Sequence, residues 1–180
     1  MKKKLLFLLS VITFAACDTA SVDIDNQDYI FDGRGGVKCK VNGKLLKPSL
    51  VISPGANSVW IGLSDYYYSD TNRMYISFSN KGKSPDFIYQ SVDIEVTDIS
   101  RTVSMVGNIY NLGNEPNQGK YTNNVPTITD YKTNNIYQGK LEILHHDVEN
   151  YIIGGTFEFD AINEKGEIVE IREGEFDLTY

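Results

Sequence analysis

The sequence predicts an all-β fold: an antiparallel β-sandwich of about eight to ten strands, with a lipocalin-like β-barrel as the alternative. Three observations carry this expectation. Short stretches with apolar residues at every second position recur along the chain, the period of a strand with one buried face. Turn residues separate them at short spacing, as in sandwiches and barrels. No run of 11 or more residues combines a helical period with a cap.

The first residues are organised differently. Met1-Lys-Lys-Lys4 is a positive start, Leu5 to Phe14 is mostly apolar, and Ala15-Ala16-Cys17 closes the segment with small residues. The apolar run is too short for a membrane-spanning helix, so residues 1–16 are expected to be a signal peptide. Phe14-Ala-Ala-Cys17 resembles the lipobox of bacterial lipoproteins, with Phe14 where that pattern usually has Leu. The resemblance implies cleavage before Cys17 and a diacylglycerol on its sulfur. Two or three acyl chains anchor a protein stably, whereas one holds marginally. Residues 17–29 are polar and acidic, which suits a flexible tether, and 30–180 are expected to form a single domain. Asp23-Ile-Asp25-Asn-Gln-Asp28 begins like a calcium loop, but its sixth position is Asp28 rather than Gly and its twelfth is Arg34 rather than Glu. No metal or cofactor is therefore expected. The acidic stretch after Cys17 resembles surface-export signals of Bacteroidetes lipoproteins, and Asp18-Thr19-Ala20 resembles the short O-glycosylation motif of that phylum.

Val37, Cys39 and Val41 alternate, and Asn42-Gly43 is the strongest two-residue hairpin signal. Lys44 to Leu46 return, Pro48 stops them or marks an edge, and Leu50 to Ile52 make a further short strand before Pro54-Gly55. Next come Val59, Ile61 and Leu63, then Met74, Ile76 and Phe78, with Asp65 to Asn72 as the loop. Pairing Val59 with Phe78, Ile61 with Ile76 and Leu63 with Met74 satisfies both patterns. After the break at Lys81-Gly-Lys-Ser-Pro85, Val92, Ile94 and Val96 alternate. From Ile109 to Tyr137 the chain is rich in Asn, Tyr, Gly and Thr, with Pro116 and Pro126, and reads mostly as loop with a short strand near Gly119 to Tyr121.

The last forty residues read as three consecutive strands. Apolar residues stand at odd positions from Leu141 and Ile143 through Ile153, Phe157, Phe159 and Ala161 to Val169 and Ile171. They then move to even positions at Phe176, Leu178 and Tyr180. One extra residue near Glu173-Gly174, a β-bulge, restores a single buried face. The register that follows sets Ala161 opposite Val169, Phe159 opposite Ile171, Gly155 opposite Phe176 and Ile153 opposite Leu178. Asp147 to Asn150 form the preceding turn, which places Ile143 beside Ile153 and His145 beside Tyr151.

Cys39-Lys-Val-Asn-Gly-Lys44, Gly139-Lys-Leu-Glu-Ile143, Gly155-Thr-Phe157-Glu-Phe159 and Gly174-Glu-Phe176 together resemble a family of small Bacteroidetes surface lipoproteins. The resemblance implies a β-rich, surface-exposed domain of unknown function, and it brings no catalytic residues.

Charge and cysteine content narrow the partners. The chain has 17 basic and 24 acidic residues; losing residues 1–16 removes three lysines and no acids, leaving a net charge of about −10. Such a protein repels nucleic acid and anionic headgroups, so the membrane is expected to be reached through the lipid alone. With Cys17 lipidated, Cys39 has no disulfide partner and reads as a small buried apolar residue.

Among candidate sites, His145-His146-Asp147 is the one histidine cluster, but adjacent strand residues point opposite ways and suit packing better than a shared metal. The derived register sets Asp160 opposite Glu170 and Glu158 opposite Arg172 on an outer face. This is a solvated acidic surface in preference to a cation site or a glycosidase-type acid pair. The best candidate is aromatic. Trp60 and Tyr75 fall on the face opposite the apolar one, Tyr66, Tyr67 and Tyr68 form the hairpin tip, and Tyr75 lies across from Gly62. Such a surface stacks on sugars or anchors a protein. The alternatives are a second buried face and aromatic cover over a glycine. The expectation is a non-catalytic, lipid-anchored module of the cell envelope, at the outer membrane, binding glycan or protein. A structural accessory subunit of an envelope complex is second, and an enzyme third.

Overall fold

A computed structural model describes residues 31–48, 59–64, 72–81 and 89–180. The expected signal peptide, the expected tether from Cys17, the 29/30 boundary, the Asp23 to Asp28 segment, the strand expected at Leu50 to Ile52, the break after Lys81 and Tyr66 to Tyr68 lie outside the described residues. Among the described residues there are eleven strands and no helix. They are β1 (Gly36–Val41), β2 (Lys44–Leu46), β3 (Val59–Ser64), β4 (Arg73–Lys81), β5 (Tyr89–Thr97), β6 (Ile109–Leu112), β7 (Gln118–Asn123), β8 (Thr129–Lys132), β9 (Gly139–Asp147), β10 (Ile152–Ile162) and β11 (Ile168–Thr179).

Every pairing is antiparallel, in the order β2-β1-β11-β10-β8-β7-β5-β4-β3, with β9 also on β10 and β6 on β9. The fork at β10 decides the architecture. One edge of β10 meets β11, while the other pairs with β9 from Ile152 to Phe159 and with β8 only at Ile162. A layer of β2-β1-β11-β10-β9-β6 is thereby joined at one corner to a layer of β8-β7-β5-β4-β3. The sheet turns over on itself and is nearly closed, so the sandwich and the barrel meet in one barrel-like structure.

The two layers share one core. Met74, Ile76 and Phe78 of β4 and Val92, Ile94 and Val96 of β5 are buried with Phe157, Phe159 and Ala161 of β10 and Val37, Cys39 and Val41 of β1. The Phe78 and Phe157 rings meet across it, 6.1 Å between centroids. Burial pushes the Cys39 thiol up to about 12, so it is an apolar filler without nucleophilic character at neutral pH.

Most of the expected registers are present. Asn42 and Gly43 both take positive φ, 46° and 77°, the pair of left-handed residues that a two-residue turn between right-twisted strands requires. Val59, Ile61 and Leu63 pair with Phe78, Ile76 and Met74. On β10 and β11 all four expected pairs occur, and the register shifts between Ile171 and Gly174, with Glu173 at φ 50°.

Three expectations are corrected. Ile143 stands opposite Gly155 rather than Ile153, and His145 opposite Gly154 rather than Tyr151, because the turn runs from Val148 to Tyr151, with Tyr151 at φ 58°, so that Asp147 pairs with Ile152. A further shift of one residue follows at Leu144. A side chain at Gly155 would collide with the Glu142 carbonyl, so this irregular crossing is open only to glycine. Arg172 does not pair with Glu158: at the β11 bulge it turns to Asp160, 2.5 Å away, while Glu158 meets Lys140 at 3.7 Å. Finally, residues 109–137 hold three strands, not a long loop. Strands β6 and β8 are four residues each, and β8 reads Thr-Asp-Tyr-Lys with little apolar content. Their partners impose the extended form, β6 on β9 and β8 on β7, which a local pattern of this length does not declare.

Candidate functional site

The site is the outer face of β3-β4-β5-β7. Because Met74, Ile76 and Phe78 turn inward, Arg73, Tyr75 and Ser77 turn outward, and Ile94 fixes Asp93 and Glu95 outward on β5 in the same way. One register row then crosses five strands: Trp60, Ser77, Asp93, Lys120 and Lys132. At a strand spacing of ~4.8 Å, Trp60 and Asp93 are two strands, roughly 10 Å, apart along it. Tyr75 stands one row over, opposite Gly62 on β3 and Glu95 on β5.

Asp93 is the hub. Its Oδ1 accepts the Tyr75 hydroxyl at 3.0 Å and the Ser77 hydroxyl at 2.6 Å, and its Oδ2 accepts Ser91 Oγ at 3.4 Å. A carboxylate offers about four acceptor positions, so Oδ2 retains capacity for another donor. Around this hub, Arg73 pairs with Glu95, and Lys120 reaches Asp130 at 3.1 Å while Thr122 donates to the same carboxylate at 2.8 Å. Tyr75 is half-buried, and burial together with the Asp93 charge pushes its phenol up to about 12. At neutral pH it is therefore a fixed proton donor to Asp93, and no general base.

Among the described residues of this face, the arrangement orients donors and acceptors. Ser77 and Ser91 face a carboxylate, and the protein's two histidines are both on β9. His145 stacks on Phe31, with centroids 5.2 Å apart, and His146 is buried with one ring nitrogen on the Met105 amide and the other on the Tyr180 hydroxyl. Asp160, the other candidate acid, is tied to Arg172 while Glu170 stays on the exposed face beside it.

Of the sequence-predicted aromatic set, Tyr75 lies where expected, on the outer face across from Gly62. Trp60 is in register beside it on β3 through its backbone, and Tyr66, Tyr67 and Tyr68 lie outside the described residues. Asp93 was missed. Its signal was available: once Val92 and Ile94 are placed inward, Asp93 falls outward, in line with Ser77. A depression of about 250 Å³ on the other layer, walled by Phe31 and Leu144 and floored at Gly155 and Thr156, is mostly apolar and gathers no comparable set of hydroxyls.

Comparison with known proteins adds a family and no activity. No curated protein and no solved structure matches the chain. Residues 88–177, half of the 180, match the family described as Domain of unknown function (DUF6252). The matched stretch takes in β5 to most of β11, and so Asp93 and Lys120, while Trp60 and Tyr75 precede it. By that match, the chain belongs to the DUF6252 family.

Proposed function

We propose that the protein is a lipid-anchored module of the cell envelope, at the outer membrane, that binds glycan without transforming it. The row Trp60, Ser77, Asp93, Lys120 is the observation that carries this reading. Sugar recognition combines an aromatic face for the C–H side of a pyranose with fixed acceptors and donors for its hydroxyls. Asp93 supplies an acceptor already oriented by three hydroxyls, so little ordering cost remains when a ligand hydroxyl reaches Oδ2. The Cys17 segment and its polar tether support the address, and the acidic net charge argues against nucleic acid.

Retention on immobilised neutral polysaccharides, followed by a glycan array, tests the reading. Wild-type protein is expected to be retained, and Trp60→Ala and Asp93→Asn to elute in the void while remaining folded. Absence of retention on every glycan, or retention unchanged in both variants, overturns it; capture of a protein partner through the same face instead makes this a docking surface.

A further inference from the structure

His146 is outside the proposed binding face, and its surroundings do a separate task. It lies on β9, 6% exposed, under the loop of residues 98–108 that joins β5 to β6. That loop drops Ile99 and Met105 into the core and leaves Val103 and Val106 outside. The Met105 amide donates to His146 Nδ1 at 3.1 Å. Nδ1 must then be unprotonated, so the neutral ring carries its proton on Nε2, which faces the Tyr180 hydroxyl at 2.9 Å. Only this tautomer satisfies both neighbours.

A second proton has one place to go. It must enter at Nδ1, where it meets the Met105 N–H head-on: two donors facing each other in a buried site, with the amide's acceptor lost. Tyr180 accepts from Nε2 in either state, so the conflict is confined to the loop. We propose that His146 is an acid-sensitive latch on the β5–β6 loop: protonation at Nδ1 releases Met105 and uncovers the apolar surface beneath.

The surroundings favour the uncharged ring. Burial, then the neighbouring His145, push its pKa below the ordinary histidine value, against a smaller opposing pull from Asp147. Asp147 is committed elsewhere, accepting the Glu149 and Asn150 amides and the Asn150 side chain. From the other packed elements come Tyr180 at the end of β11, Tyr151 edge-on to Tyr180, Tyr110 of β6 on the Met105 sulfur at 3.5 Å, and Arg101 of the loop, whose charge acts on Tyr180. Among these described groups no carboxylate accepts from Nδ1. The closed loop binds the proton less readily than the open one. The stabilisation of closure by His146 is fully present above the ordinary histidine pKa of ~6.5 and weakens as pH falls from there toward the depressed value.

Hydrogen exchange on the full chain tests this, with the intrinsic pH dependence of amide exchange removed. The opening constant at Met105 is expected to rise as pH falls below about 6.5, by up to about tenfold per pH unit, while Phe159 in β10 stays protected. In His146→Asn, Oδ1 takes the place of Nδ1 and accepts at any pH, so protection of Met105 is expected to be flat from pH 7.5 to 5. Imidazole nitrogen shifts of the wild-type protein serve if that variant does not fold; they are expected to show the Nε2–H form at pH 7.5 and protonation of Nδ1 in step with Met105 exchange. Protection at Met105 that ignores pH, an acid response that survives His146→Asn, or a neutral ring protonated at Nδ1 overturns the proposal.

Discussion

At the scale of single residues, parity along a strand does most of the deciding. Tyr75 is outward because Met74 and Ile76 are inward, and the backbone of Trp60 stands in register with Ser77. That placement has a consequence in stability that is independent of any ligand. Truncating a buried Trp costs ~3–5 kcal/mol, whereas substitutions on an exposed face away from special features stay within about ±0.5 kcal/mol. Trp60→Ala is therefore expected to melt within a few degrees of wild type while losing retention on glycan. A large fall in melting temperature would assign Trp60 to packing and leave the binding face with Tyr75 and Asp93 alone. Tyr75→Phe separates the hydroxyl from the ring: it keeps the surface over Gly62 and frees one position on Asp93 Oδ1.

At the scale of elements, the C-terminal strand shows what a sequence can and cannot declare. Phe176 and Leu178 are buried and Tyr180 packs partly against the core, while β11 is held between β1 and β10. Asp177, fully buried, accepts the backbone amides of Asp32, Gly33 and Gly35, so the strand also ties down the lead into β1. Burying one large apolar side chain contributes roughly 1.5–3 kcal/mol, and a domain of this kind has a margin of ~5–15 kcal/mol. Deleting residues 176–180 is accordingly expected to abolish cooperative melting, followed by circular dichroism. A truncated protein that melts near wild type would show this strand to be dispensable. The strand was legible because its parity flip at Glu173-Gly174 has one simple solution, and so was the Asn42-Gly43 hairpin, whose turn chemistry is local. The β9 register was not legible, because Tyr151, an aromatic that reads as strand, takes a left-handed turn conformation at φ 58°, and the extra residue at Leu144 leaves no mark in the pattern. Neither were β6 and β8, whose four residues are too few to carry a period and gain their strand form from β9 and β7. The site was half legible for the same reason: the aromatics announce themselves, while Asp93 acquires meaning only when β4 and β5 are aligned.

At the scale of the whole molecule, the proposed anchor and the described domain divide the chain by physics. The domain buries its main apolar set internally, and its surface carries ion pairs, such as Lys38 with Glu175 at 2.9 Å and Lys40 with Glu173 at 2.7 Å, beside exposed apolar side chains such as Ile128 and Ile136. Exposed pairs of this kind add little stability. Among the described residues no helix is long and apolar enough to cross a membrane. Attachment by way of Cys17 would rest on the lipid: two or three acyl chains, each contributing about 0.8 kcal/mol per buried CH₂, hold where a single chain does not. Wild-type protein is expected to sediment with the membrane fraction and to be released by detergent but not by high salt, since its negative charge gives it no electrostatic hold on anionic lipid. Cys17→Ser is expected to accumulate unprocessed or to appear in the soluble fraction, with its melting temperature unchanged because position 17 precedes the domain. Processing and fractionation unaltered in that variant would remove the anchor, and release of the wild type by salt would replace it with a charged partner.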